Sequence, residues 1–225
     1  MTTSLCEFQN VMRWAKVLEG DSNRAGLEDL IKIVLRPVQA DRMRSAFTRP
    51  AHCAPDALTW VRSMGDLWQV PAPEGTLLSH VIRHGRRAVD KSHTLRLGRD
   101  VVLPTMWSSS SVKNSLGAIG PGRACGPFVQ DFNHSLTLMI PLGIGWVSGG
   151  NHSITQGILA GEGELVPDEV IDVSSAIDAV RYDGECWICQ NTGLRAAGPC
   201  YPEFGWVWEI ARLLISLPPA PMERA

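Results

Sequence analysis

The chain predicts an α+β protein in which a helical N-terminal part precedes a small mixed-sheet core closed by a C-terminal helix. Apolar residues recur at helical spacing as far as residue 90, and from Leu95 onward short apolar runs alternate with Gly-rich turns. The stretch Gly205–Leu217 then returns to helical spacing, with Trp206, Ile210, Leu213, Leu214 and Leu217 on one face and Pro218-Pro219 as its stop. Helices first and a mixed region afterwards is the α+β order. It suggests a helical region over 1–94, a core with its C-terminal helix over 95–217, and a tail over 218–225.

Residues 4–19 carry Leu5, Phe8, Met12, Ala15, Val17 and Leu18 and end at Gly20. Residues 26–35 repeat the pattern with Leu27, Leu30, Ile31 and Val34, and Pro37 is expected to stop that helix. Further helices are expected over 39–47, over 55–68 (opening at Pro55 or Asp56) and over 76–90, with the Pro71–Gly75 segment as a break. The last of these carries Arg83, His84, Arg86 and Arg87, either a solvated face or a contact for phosphate or nucleic acid. Val101–Leu103, Leu136–Ile140, Ile144–Val147, Val170–Val173 and Trp187–Cys189 read as strands. Asp183-Gly184 is a hairpin signal between Ala179–Arg181 and Cys186-Trp187. Between the first two strands lie Ser108–Ser111 and the Gly117–Gly122 segment, with Arg123 beside them.

Composition narrows the function classes. At 225 residues, 44% hydrophobic and 20% charged, the chain has the make-up of an ordinary globular protein. Its net charge of -2 gives no global case for nucleic acid, although residues 1–100 are net basic and 101–225 net acidic. No run approaches the roughly 20 apolar residues that span a bilayer, and the first ten residues lack signal-peptide character, so the expectation is a cytoplasmic chain with reduced thiols and no membrane contact. Cys186-Trp-Ile-Cys189 lacks the second ligand pair that structural zinc requires, and Cys200 stands alone. The expectation is therefore buried thiols and no metal. A Walker loop, an HExxH and a Ser-His-Asp order are all missing from the sequence.

The densest cluster of chemistry is Gly149-Gly150-Asn151-His152-Ser153, between the apolar run Ile144–Val147 and a helix reaching about Ala160. Strand, glycine turn and helix start together aim backbone N–H groups and a positive helix end at an anion. On this reading Gly149, Gly150 and the Ser153 amide cradle phosphate, Asn151 orients it, and His152 acts as general acid/base. Asp168, Glu169 and Asp172 are then candidates for Mg²⁺ accompanying a nucleotide. The same residues also suit a simpler reading: a capped helix start with a structural histidine, and an acidic surface segment.

Strand, Gly-Gly-Asn-His-Ser, helix, acidic segment, strand and Asp-Gly hairpin, over about residues 97–192, resemble the ParB/sulfiredoxin-like fold. That resemblance implies nucleotide phosphates bound at the helix start. The superfamily's turn usually carries Arg after the His, where this chain has Ser153, so another cation is needed, and Arg123, Arg181 and Arg195 are the candidates. Leu-Pro-x-x-Trp at 103–107, Gly-Gly-Asn-His-Ser-Ile at 149–154 and Trp-Glu-Ile-Ala-Arg-Leu at 208–213 also resemble an uncharacterised bacterial family. The functional expectation is a phosphate- or nucleotide-binding protein, with phosphoryl transfer or hydrolysis as its enzymatic form. The alternative is a non-catalytic regulatory protein that binds a protein partner or DNA through its N-terminal helices. A nuclease ranks last, because no lysine adjoins the acidic segment.

Overall fold

A computed structural model describes residues 3–49, 58–72, 75–106, 113 and 115–218. The proposed helix start at Pro55 or Asp56, the Ser108–Ser111 connection and most of the C-terminal tail lie outside them. Helices stand at both ends of the chain and mixed sheets between them, so the class is α+β. Two compact units divide it, one formed by 1–34, 64–85 and 173–225, the other by 35–63 and 86–172.

The second unit is built on a five-stranded mixed sheet. Its strands are β1 (Arg86–Arg87), β3 (Val101–Leu103), β4 (Ser135–Ile140), β5 (Ile144–Gly149) and β7 (Glu169–Asp172), in the order β1-β7-β4-β5-β3. β4 and β5 form an antiparallel hairpin, while β3 joins β5 and β7 joins β4 in parallel. Residues 144–147 are all buried, as a run apolar on both faces requires. β2 (Leu95–Arg96) and β6 (Glu164–Leu165) make a separate two-stranded ribbon that sends Leu95 and Leu165 into the core. A helix after β5, α5 (Asn151–Ala160), lays Ile154 against Leu136, Leu138, Val147 and Val170.

In the first unit α1 (Thr3–Gly20) packs on α7 (Pro202–Ser216). Beside them lie α4 (Leu78–His84), α6 (Ser174–Ala179) and the meander β8 (Val180–Tyr182), β9 (Cys186–Cys189), β10 (Arg195–Ala197). Trp187 and Trp208 are fully buried, with ring centroids 5.5 Å apart. Each indole N–H has an acceptor, Met64 O at 2.7 Å and Val180 O at 2.9 Å, so two large aromatics are buried without stranding a donor. The Arg24 guanidinium donates to the carbonyls of Leu214, Leu217 and Pro218, closing the C-terminus of α7 with a cation.

Several expectations are corrected. Pro37 does not end a helix: α2 runs unbroken over Arg24–Thr48 with the proline inside it. An interior proline costs about 3 kcal/mol. Leu27, Ile31, Val34, Leu35 and Val38 form one buried stripe, and each large side chain contributes roughly 1.5–3 kcal/mol on burial, so packing outweighs the lost bond. Gln39 and Arg42 add anchors, donating to Val102 O at 2.6 Å and Thr105 Oγ1 at 3.0 Å. The helix expected over 55–68 becomes a single turn, α3 (Trp60–Ser63), and a 3₁₀ segment, Gly65–Gln69. The one expected over 76–90 ends at His84, because Arg86 and Arg87 pair with β7 as an edge strand. β2, β6 and β10 are too short to show a period and are absent from the sequence reading.

Candidate functional site

The Gly-Gly-Asn-His-Ser turn does join a strand to a helix. Gly150 is the residue before α5, with φ +71° in the left-handed region where glycine is favoured. The turn is fastened inward on every side. A Cβ on Gly150 would lie 2.4 Å from His134 Cδ2, and one on Gly149 would lie 2.5 Å from Asn133 O. The space beside these glycines is therefore filled by the 131–135 loop rather than held open. Asn151 Oδ1 accepts from the Thr105 amide at 2.6 Å, tying the first residue of α5 to the segment after β3. Its carbonyl accepts from Thr155 Oγ1 at 2.8 Å.

Ser153 is held by a residue the sequence reading passed over. Its Oγ lies 2.6 Å from His134 Nε2 and donates to Gly150 O at 3.0 Å. His134 is buried, its ring set edge-on to Phe128 with centroids 5.0 Å apart. Its Nδ1 accepts from the Asp131 amide at 2.9 Å and lies 2.8 Å from Asp131 Oδ1. Asp131, His134 and Ser153 have the outline of a hydrolytic triad, but the protons run the other way. Ser153 Oγ donates to Gly150 O, so the hydroxyl proton that a triad would aim at the imidazole is turned onto the backbone instead. The same Asp-x-x-His turn recurs at Asp90–His93, with the Asp90 amide donating to His93 Nδ1 at 3.1 Å, which marks it as a backbone-capping device. That network also explains why position 153 is a serine: a short hydroxyl fits against His134, and an arginine would not.

His152 is half-buried, with its Nε2 shut off from solvent. Arg123 is exposed and reaches α5. Its Nη1 donates to Ile119 O at 2.8 Å and to Gln156 Oε1 at 3.4 Å. Gln156 Oε1 also accepts from the Gly117 amide at 3.0 Å, and Gln156 stands one helical turn beyond His152. Arg181 and Arg195 lie in the other compact unit, where Arg195 pairs with Asp183 at 2.8 Å.

The acidic segment and the basic cluster turn out to be partners. Glu169 pairs with Arg86 and Asp172 with Arg87, across the β1–β7 ladder. Asp168 accepts from Ser135 Oγ at 2.7 Å and from the Leu136 amide at 2.8 Å. Each carboxylate considered for Mg²⁺ thus has a structural task. Arg86 and Arg87, read as part of a solvated helix face or a phosphate or nucleic-acid contact, answer to their own sheet. Among the described residues no group of three or more His, Cys, Asp or Glu is placed to share a metal ion. Cys189 is buried, with its thiol donating to Pro71 O at 3.3 Å, and Cys200 is exposed. No helix among these residues is long and apolar enough to cross a membrane.

No curated protein matches this chain, and no solved structure does. Residues 2–219 match the model of DUF6710, a family of unknown function, and the chain belongs to that family.

Proposed function

We propose that this chain binds a phosphate-bearing ligand of the nucleotide class at the start of α5, and that it does so without covalent chemistry. The observation that carries the reading is Arg123, docked on α5 through Gln156 one turn from His152, with its Nε and Nη2 uncommitted among the described residues. The first-turn amides of α5 carry the positive end of the helix, and the Arg123 guanidinium, docked on the same helix at Gln156, supplies the bidentate partner phosphate prefers. The ParB/sulfiredoxin-like resemblance supports the same location, with Arg123 taking the part of the arginine that Ser153 replaces. Asn151 and Ser153 build the turn, and His152 contacts the ligand from the helix face rather than moving a proton.

The test is calorimetric titration with ATP, with and without Mg²⁺, backed by thermal melts. Saturable binding is expected, weakened at least tenfold in Arg123→Gln, with the melting temperature of the unliganded protein unchanged. A ligand at a hundredfold excess over its Kd stabilises the fold by about 2.7 kcal/mol, which a melt registers. An Arg123→Gln variant that binds like the parent, or a parent that binds no nucleotide, overturns the reading.

The α1 surface favours a second reading, contact with a partner protein. Val17, 49% exposed, lines a groove of about 560 Å³ with Phe8, Met12, Arg13 and Lys16, and Trp14, 59% exposed, stands on the same helix. A Trp14→Glu variant that still co-purifies with everything the parent does would dismiss it.

A further inference from the structure

A cleft in the unit built on the five-stranded sheet lies over the outer face of the β2–β6 ribbon, with a volume of about 660 Å³. That is within the range of small-molecule sites, roughly 300–1,000 Å³. Three cations line it, Lys91, Arg96 and Arg99, against one carboxylate, Glu164. In a chain of net charge -2 this is a local excess of positive charge, reduced by the ion pair of Arg99 with Asp100 at 3.0 Å. Neither the glycine turn nor Arg123 contributes to it.

The walls are fixed in place. Arg96 and Arg99 stand at the two ends of a tight turn in which the Arg99 and Asp100 amides both donate to Arg96 O, at 2.9 and 2.7 Å. Asp100 secures both arginines: Oδ2 accepts from the Arg96 amide at 2.8 Å and Oδ1 from Arg99 Nε at 3.0 Å. The turn is held from outside by Arg36, which donates to Arg99 O at 2.7 Å. Lys91 opens a 3₁₀ turn capped by the Asp90 carboxylate. On the far side the Gln130 side chain bonds both backbone groups of Val166, accepting at 2.8 Å and donating at 2.9 Å. The register pairs Arg96 with Glu164 and sends both outward, where their side chains meet at 3.5 Å.

We propose that this cleft binds a small molecule carrying a diphosphate group. Lys91, Arg96 and Arg99 offer three positive groups to a diphosphate, which competes with the Glu164 and Asp100 carboxylates for the two guanidinium groups fixed on one turn. Glu164 acts as a placeholder that keeps Arg96 aligned until the ligand displaces it. This inference is independent of the α5 reading.

The experiment is titration of the full-length protein with pyrophosphate, with citrate as a non-phosphate trianion and ADP as a diphosphate bearing a base. Pyrophosphate is expected to saturate a site that persists in the Arg123→Gln background, and there Arg96→Gln and Arg99→Gln should each weaken it roughly tenfold to a hundredfold. Glu164→Gln should strengthen it severalfold by releasing Arg96. Arg123→Gln should leave it unchanged, which separates this cleft from the α5 site. ADP binding as tightly as pyrophosphate makes the diphosphate the recognised group, free or attached. Arg96 and Glu164 are well exposed, so melts of both variants should match the parent. Should Arg96→Gln alone unfold, Lys91→Gln is the alternative, with the same loss expected. Absence of saturable binding, equal affinity for citrate, or loss of binding in Arg123→Gln would each overturn the proposal.

Discussion

At Gly150 two constraints meet: a left-handed backbone, and a His134 ring 2.4 Å from where a Cβ would stand. Gly150→Ala should therefore lower stability by more than the roughly 1–2 kcal/mol of the backbone strain alone, because the buried ring must also shift. Urea denaturation reads this directly, and a loss under 1 kcal/mol would show that the loop over the turn yields easily. Glu203 offers a test by pH. Burial is the largest influence on its carboxyl, with Glu7 adding to it, and both push its pKa above the ordinary 4.5; its Oε2 is buried without a partner among the described residues. A carboxyl whose pKa is raised by folding favours the folded state when protonated, so stability is lost as pH climbs from about 4.5 through the raised value. Glu203→Gln should melt higher than the parent at pH 7, and the difference should vanish below pH 4. A variant that melts lower at pH 7 would mean the charge is compensated.

Among the elements, long periodic segments were legible and short ones were not. The apolar stripes of α1 and α7 announce themselves because each repeats over several turns. Ile144–Val147 is as plain, being apolar on both faces. Arg86-Arg87 looks like the end of a charged helix until β7 offers it a ladder, and nothing local encodes that pairing. Pro37 misleads for the opposite reason: the local rule is sound, but a stripe of five buried side chains outweighs it. The candidate site divides along the same line. The glycine turn shows in sequence because its composition is dense. His134 does not, because its task depends on a serine nineteen residues away. An Asp-x-x-His spacing is the one signal that points to it, and it reads as a cap. The Asp168, Glu169 and Asp172 cluster offers itself as a metal site because sequence shows like charges together and hides what comes to meet them: arginines at Glu169 and Asp172, and a hydroxyl and an amide at Asp168.

For the molecule as a whole, α7 is an organising element of its compact unit. Phe204, Val207, Trp208, Ile210 and Ala211 are fully buried there. Its large side chains together contribute more than 5 kcal/mol at roughly 1.5–3 kcal/mol each, comparable to the entire stability of an ordinary domain. Truncation before Gly205 should give insoluble protein or a chain with no cooperative melt, and a soluble two-state truncate would show that the helix is an appendage. The central claim is that the start of α5 receives phosphate beside Arg123. It is tested most directly by following the backbone amide resonances of Asn151, His152 and Ser153 by NMR while ATP is added. Saturable shifts at these three amides in the parent, and their loss in Arg123→Gln, are what the account predicts. Amides at 151–153 that stay still while resonances elsewhere move would contradict it.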